Sequence, residues 1–141
     1  MSMKIVVPDD FPVVLTGSQA ERALRTLGDV TVHTERGAEQ ETELVRRIGA
    51  ADIVVSLRAY TRLSESALTA CPSVRMISIW GTGTDNVDLA ACQRRGVTVA
   101  HTPGVNAHAV AEHTLALMLP VTRRIPSLDS DVRNGQWPRG L

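Results

Sequence analysis

Five short runs rich in β-branched residues, at 3–7, 30–33, 52–56, 74–80 and 96–102, alternate with segments patterned as helices, and this alternation leaves few folds open. The helical segments carry their own punctuation. "TGSQAERALRTLG" opens with Ser18 and Glu21 at capping-box spacing and stops at Gly28. "EQETELVRRIG" is amphipathic and ends at Gly49, "SESALTAC" is short and precedes Pro72, and "VDLAACQRRG" ends at Gly96. Strands of about five residues, nearly all Ile and Val and separated by helices, imply a parallel sheet covered on both faces. The expected fold is α/β: a flavodoxin-like, doubly wound parallel sheet of about five strands, with a long helix at the C-terminal end. Such sheets bind ligands outside the carboxyl ends of their strands. The loops after residues 7, 56, 80 and 101 are therefore the places to search.

One of these loops stands out. In "SIWGTGTDNVD", residues 78 to 88, a buried-looking strand runs through a glycine-rich turn into a helix, the setting of a G-x-G-x-x-G pyrophosphate cradle. Gly81 and Gly83 are in register, but Asn86 stands where the third glycine belongs. Asp85 would place a carboxylate at the mouth of the turn, repelling phosphate, and reads better as the N-cap of the following helix. Two readings stay open at this point. The N–H groups of Thr82, Gly83 and Thr84 form a small nest suited to a single carboxylate, or the glycines merely permit positive φ in a tight turn.

Composition narrows the partners. Lys plus Arg equals Asp plus Glu at 15 each, so no basic field gathers nucleic acid or an acidic membrane. No run reaches the roughly 18 apolar residues of a spanning helix, and the N-terminus lacks the apolar core of a secretion signal. Cys71 and Cys92 make neither a CxxC motif nor a disulfide framework, which fits a reducing cytoplasm and inert packing. No metal site is expected: His108 and His113 are five apart, off the i, i+4 spacing that aligns two ligands on a helix face. Glu112 and His113, adjacent on a helix, do not face each other as a base pair would.

"GTGTDNVDLAACQRRGVTVAHTPGVNAHAVAEHTLALML", together with "SLRAYTRLSESAL" and "NGQW", resembles the N-terminal part of the D-isomer-specific 2-hydroxyacid dehydrogenases, and the similarity covers essentially the whole chain. The resemblance implies a substrate-binding domain over residues 1–104, followed by interdomain and dimerisation helices over 105–141 that lead to an NAD-binding domain. It implies that the turn at Thr82, Gly83 and Thr84 presents backbone N–H groups to the carboxylate of a small 2-hydroxy or 2-oxo acid. Arg58 and Ala59, in the loop across the same cleft, join the substrate site, and Asn106 and Val110 approach the nicotinamide of NAD or NADP in the full-length parent. Glu112 becomes a structural carboxylate at the domain hinge. His101 departs from the family pattern before Pro103, leaving side-chain roles in that turn open.

The family's dinucleotide fingerprint and its catalytic arginine, glutamate and histidine fall beyond the position matching Leu141. The chain alone is therefore expected to be inactive and to bind no cofactor tightly. The alternative is a stand-alone module that binds a small carboxylate or regulates a longer relative. "AVAEHTLALMLPV", residues 109–121, is apolar on every face and needs cover on more than one side. The expectation is a homodimer through residues 105–125 that includes Leu115, Leu117, Met118 and Leu119, with Pro120 kinking or breaking the helix.

Overall fold

The computed structural model describes residues 2–138; residues 139–141, the end of the expected 105–141 segment, lie outside the described residues. The chain divides into two compact units, Met1–Pro103 and Gly104–Leu141.

The first unit alternates strand and helix throughout: β1 (Lys4–Val7), α1 (Gln19–Leu27), β2 (Asp29–Val32), α2 (Glu41–Ile48), β3 (Ile53–Ser56), α3 (Glu65–Ala70), β4 (Met76–Ile79), α4 (Leu89–Arg95) and β5 (Thr98–Ala100). All strand pairs are parallel, in the order β2-β1-β3-β4-β5. This is the doubly wound flavodoxin order. The strands are shorter than the apolar runs that announce them; residues 74–80 yield only Met76–Ile79.

The helix boundaries follow local chemistry. Ser18 Oγ accepts from the Glu21 N–H at 3.2 Å, and Glu21 Oε2 accepts in return from the Gly17 N–H at 2.7 Å, a capping box shifted by one residue. Gly28 follows α1 with extended backbone, so its φ demands no glycine; a Cβ there would lie 2.2 Å from the Met3 carbonyl oxygen. Close approach of the two chains is what excludes a side chain. Gly96 ends α4 in the left-handed region at φ 69°, where glycine carries no steric penalty.

Strand alternation splits the core in two. Val6, Val54, Ile77 and Ile79 pack with α2, α3 and α4 through Leu44, Ile48, Leu68, Ala91 and Cys92. Ile5, Val7, Val30 and Val55 face the other way and pack with Leu15 and Leu24. Both cysteines are free and buried, and burial raises the pKa of each thiol.

The expectation of two covered faces holds for only part of the sheet. Register places Met76 and Ser78 beside Ile53 and Val55, and Thr98 and Ala100 beside them in turn. None of those four β4 and β5 residues is buried, because α1 is the one helix on their face of this unit. An apolar groove of about 270 Å³, with Leu24, Leu27, Val55 and Trp80 among its walls, opens there.

Two buried carboxylates organise the loop after β1. Asp10 accepts from the N–H groups of Val14, Leu15 and Thr16 and from the Thr16 hydroxyl, at 2.8–3.0 Å. Burial alone would raise its pKa, but these donors outweigh it and hold the carboxyl below its ordinary value. Asp9 accepts from the N–H groups of Phe11, Gly37 and Ala38.

The second unit contains α5 (Ala107–Thr122) and α6 (Ile125–Arg133). The sequence predicts a kink or break near Pro120: α5 runs through Pro120 itself and ends two residues later, at Thr122. The proline sits in the final turn, where little helix remains to lose. Thr122 Oγ1 donates to the carbonyls of Met118 and Leu119 at 3.1 and 3.0 Å, satisfying part of that end. Arg124, at φ 53°, is the left-handed residue in the N-cap position of α6. No residue of α5 is buried; Leu115, Leu117, Met118 and Leu119 are each 55–60% exposed.

Candidate active site

Three loops at the carboxyl ends of β1, β3 and β4 meet in the first unit. The loop after β3 lies between the other two and is tied to both. On one side, the Tyr60 hydroxyl shares its single proton between Asp9 Oδ1 at 2.9 Å and the Phe11 carbonyl at 3.1 Å, while Arg58 Nη2 donates to the Pro12 carbonyl. Burial and the Asp9 carboxylate raise the pKa of the Tyr60 hydroxyl, so it stays a donor. The Arg36 guanidinium stacks 4.9 Å from the centroid of the Tyr60 ring.

On the other side, Asn86 reaches across. Its Nδ2 lies 2.8 Å from the Thr61 carbonyl, 3.2 Å from Ser56 Oγ and 3.4 Å from the Arg58 carbonyl. The backbone adds a parallel bridge between Leu63 and Val87, with Leu63 N–H donating to Asn86 O at 2.8 Å and Asp88 N–H to Leu63 O at 3.0 Å. The residue that spoils the third glycine of the sequence motif is thus a clasp between two loops.

Between these loops lies a cleft of about 320 Å³, lined by Ser56, Leu57, Ala59 and Arg62 from the β3 side and by Ile79, Trp80, Gly81, Gly83, Asp85 and Asn86 from the β4 side. Neither Gly81 nor Gly83 has positive φ, which removes the tight-turn explanation for them and also any left-handed nest. A Cβ on Gly81 would meet nothing, and one on Gly83 only Asp85 Oδ2 at 3.3 Å. Packing does not require glycine at these positions either. What two side chains would fill is open space over the backbone, where the N–H groups of Gly83 and Thr84 donate to no acceptor among the described residues.

The turn is fixed from behind by the end of β5. The Thr102 N–H donates to Gly81 O at 2.8 Å, and the His101 ring nitrogen Nδ1 lies 2.9 Å from Thr82 O. That contact gives His101 a role the sequence left open.

Of the anticipated site residues, Ala59 and Gly83 line the cleft; Thr82 and Thr84 lie in the same turn without forming its wall. Arg58 is directed to Pro12 instead, and Arg62, four residues on, is the guanidinium in the wall. Asp85 is not the helix cap: Asp88 is, its Oδ1 accepting from the Ala91 N–H at 2.8 Å. The Leu63–Val87 bridge consumes the residues after Asp85 before the helix can start. In the second unit, Asn106 occupies the N-cap position of α5 with no side-chain cap bond, and Val110 is 55% exposed.

The chain matches the family model described as "D-isomer specific 2-hydroxyacid dehydrogenase, catalytic domain" over residues 13–132. It belongs to that family. Among relatives of the D-isomer specific 2-hydroxyacid dehydrogenases, it is 37% identical to glyoxylate reductase of Thermofilum pendens over 117 residues, 82% of this chain and 34% of that protein. It is 36% identical to D-3-phosphoglycerate dehydrogenase of Mycobacterium bovis over 131 residues, 92% of this chain and 24% of that one. An acyclic imino acid reductase, solved in complex with NADPH and D-Arg, superimposes with a TM-score of 0.85 at 25% identity, over 97% of this chain and 43% of the other. The chain therefore spans only 34% and 24% of the length of these two relatives.

Proposed function

We propose that this chain is the substrate-binding part of an NAD(P)-dependent D-2-hydroxyacid dehydrogenase acting on a small 2-hydroxy or 2-oxo acid in the cytoplasm. The observation that carries the reading is the bare backbone of the turn after β4, whose glycines serve neither φ nor packing. Unpaired N–H groups over open space suit a carboxylate. Ala59 and Leu57 offer apolar cover to the rest of a small acid, and Arg62 adds a cation to the wall. Arg58 belongs to the site through its loop and turns to the ligand from its present bond to Pro12.

The same turn does not fit a dinucleotide pyrophosphate. Asp85 Oδ2 stands 3.3 Å from the position a Gly83 Cβ would occupy, and the cap of α4 is already filled by Asp88. The cofactor side of the reading rests on Asn106 and Val110 at the start of α5, with NAD or NADP supplying the hydride when bound to the parent enzyme. The exposed apolar surface of α5 supports a homodimer through residues 105–125.

The test is titration of the isotopically labelled chain with glyoxylate or pyruvate. Amide shifts centred on 81–84 and 57–61, with a dissociation constant near 1 mM, about 4 kcal/mol, are expected because the cleft is open to water. Shifts confined to residues 101–113, with these loops silent, would sink the proposal.

A further inference from the structure

The cleft is built from two loops that share no element of secondary structure, so its shape depends on what fixes one loop to the other. Among the described residues, Asn86 alone offers a side chain to this task, and its two amide hydrogens serve three oxygens on the opposite side, those of Thr61 and Arg58 in the loop and of Ser56 at the end of β3. That opposite loop is also where the hydrogen bonding is incomplete. Arg58 Nε and Thr61 Oγ1 are the buried side-chain polar atoms without a partner among the described residues, and both lie within the segment that Asn86 grips. Groups left unpaired at a cost are held in place by their surroundings; Tyr60 and Arg58 tie this loop to the one after β1, and toward the glycine turn the side-chain hold comes from the Asn86 amide.

We propose that Asn86 is the positioning residue of the cleft: its amide locks the loop after β3 against the glycine turn after β4, so that an acid meets both as one surface. This rests on the reading of the cleft as a carboxylate site. The backbone bridge between Leu63 and Val87 survives loss of the side chain, so the loops stay adjacent in its absence but their relative placement is no longer fixed. The locking then has to be re-established by each ligand at the cost of its own binding energy.

The experiment uses the labelled 141-residue chain, pyruvate as probe, and two substitutions. In the unsubstituted chain, the amides of 57–61 and 81–84 follow one binding curve. Asn86→Ala is expected to keep the amide shifts of β1 and β3, to bind about tenfold more weakly, and to lose the response of 57–61 while 81–84 still shifts. Asn86→Asp sets a carboxylate against the two carbonyl oxygens of Thr61 and Arg58 at about pH 8, with only the Ser56 hydroxyl able to donate to it, and regains a donor on protonation towards about pH 5, so its affinity and its coupled response recover as pH falls.

Unchanged affinity and one shared curve in Asn86→Ala overturn the proposal while leaving the carboxylate site intact. Silence of both loops in the unsubstituted chain overturns the carboxylate reading itself. Should Asn86→Ala not keep its sheet shifts, Asn86→Asp decides alone: recovery with the proton supports positioning, and an affinity indifferent to pH refutes it.

Discussion

Gly83 shows how far a single residue can be read. The sequence singles it out by its spacing from Gly81, but spacing cannot separate a turn glycine from one that leaves the backbone bare; the absence of positive φ does. Gly83→Ala is expected to cost the fold under about 1 kcal/mol, since the added methyl meets only a rotatable carboxylate. It should nevertheless abolish the amide shifts caused by pyruvate, and undiminished shifts would show that no ligand approaches there. Asp10 is a contrasting case. Deleting an acceptor of four hydrogen bonds in a buried setting, as in Asp10→Ala, is expected to cost about 2–3 kcal/mol, measured by urea unfolding. The Asp85 expectation failed because two aspartates three apart both fit a capping pattern, and only the long-range bridge to Leu63 decides between them. Asn86 was noticed for the glycine it lacks; its partners lie 25 to 30 residues away, beyond any local pattern.

At the level of elements, the strands and helices of the first unit were legible because each carries its own signal: a β-branched run, a serine or aspartate cap, a terminal glycine. What covers which face was not legible, since amphipathicity says that a helix packs without saying against what. Hence the bare side of β4 and β5 was unforeseen. The Gly28 junction illustrates the same limit. Its glycine reads as a helix stop, yet the structure makes it a point of contact with Met3. Gly28→Ala is therefore expected to destabilise by about 2–3 kcal/mol, more than an exposed C-terminal glycine would, because a carbonyl must move. A loss below about 1 kcal/mol in chemical denaturation would contradict that account.

For the molecule as a whole, several ionisable groups push stability in one direction. Hydrogen bonds from Arg46 and Arg47 hold Glu43 at about 2, below its ordinary 4.5. Asp10 and Asp52 are lowered as well. Such carboxylates stabilise the fold above their unfolded values and lose that contribution as pH falls through the folded ones. His33, pushed below its ordinary 6.5 by burial and then by Arg47 and Arg46, starts the decline earlier, because the unfolded chain takes up its proton first. The urea midpoint should thus drop from about pH 6.5 downward and most steeply between about 4.5 and 2; a midpoint flat across that range would refute it. The apolar surface of α5 should make the chain self-associate at micromolar concentration, and Leu115→Lys with Leu119→Lys should return it to monomer in sedimentation velocity.

The strand order has a further consequence, one of timing. β1 first finds β2 beside it, then β3 on its other edge, and β4 and β5 add outward one after another. Every pairing joins a new strand to one already made, so a chain emerging from the ribosome can extend the sheet as it is synthesised, without waiting for a distant segment to complete an earlier strand. From β3 onward the sheet grows at a single edge, that of the newest strand, while β2 stays as the fixed edge on the other side. Residue 100 closes the sheet, and the cleft, whose walls all precede it, takes shape in the same order as the polypeptide itself.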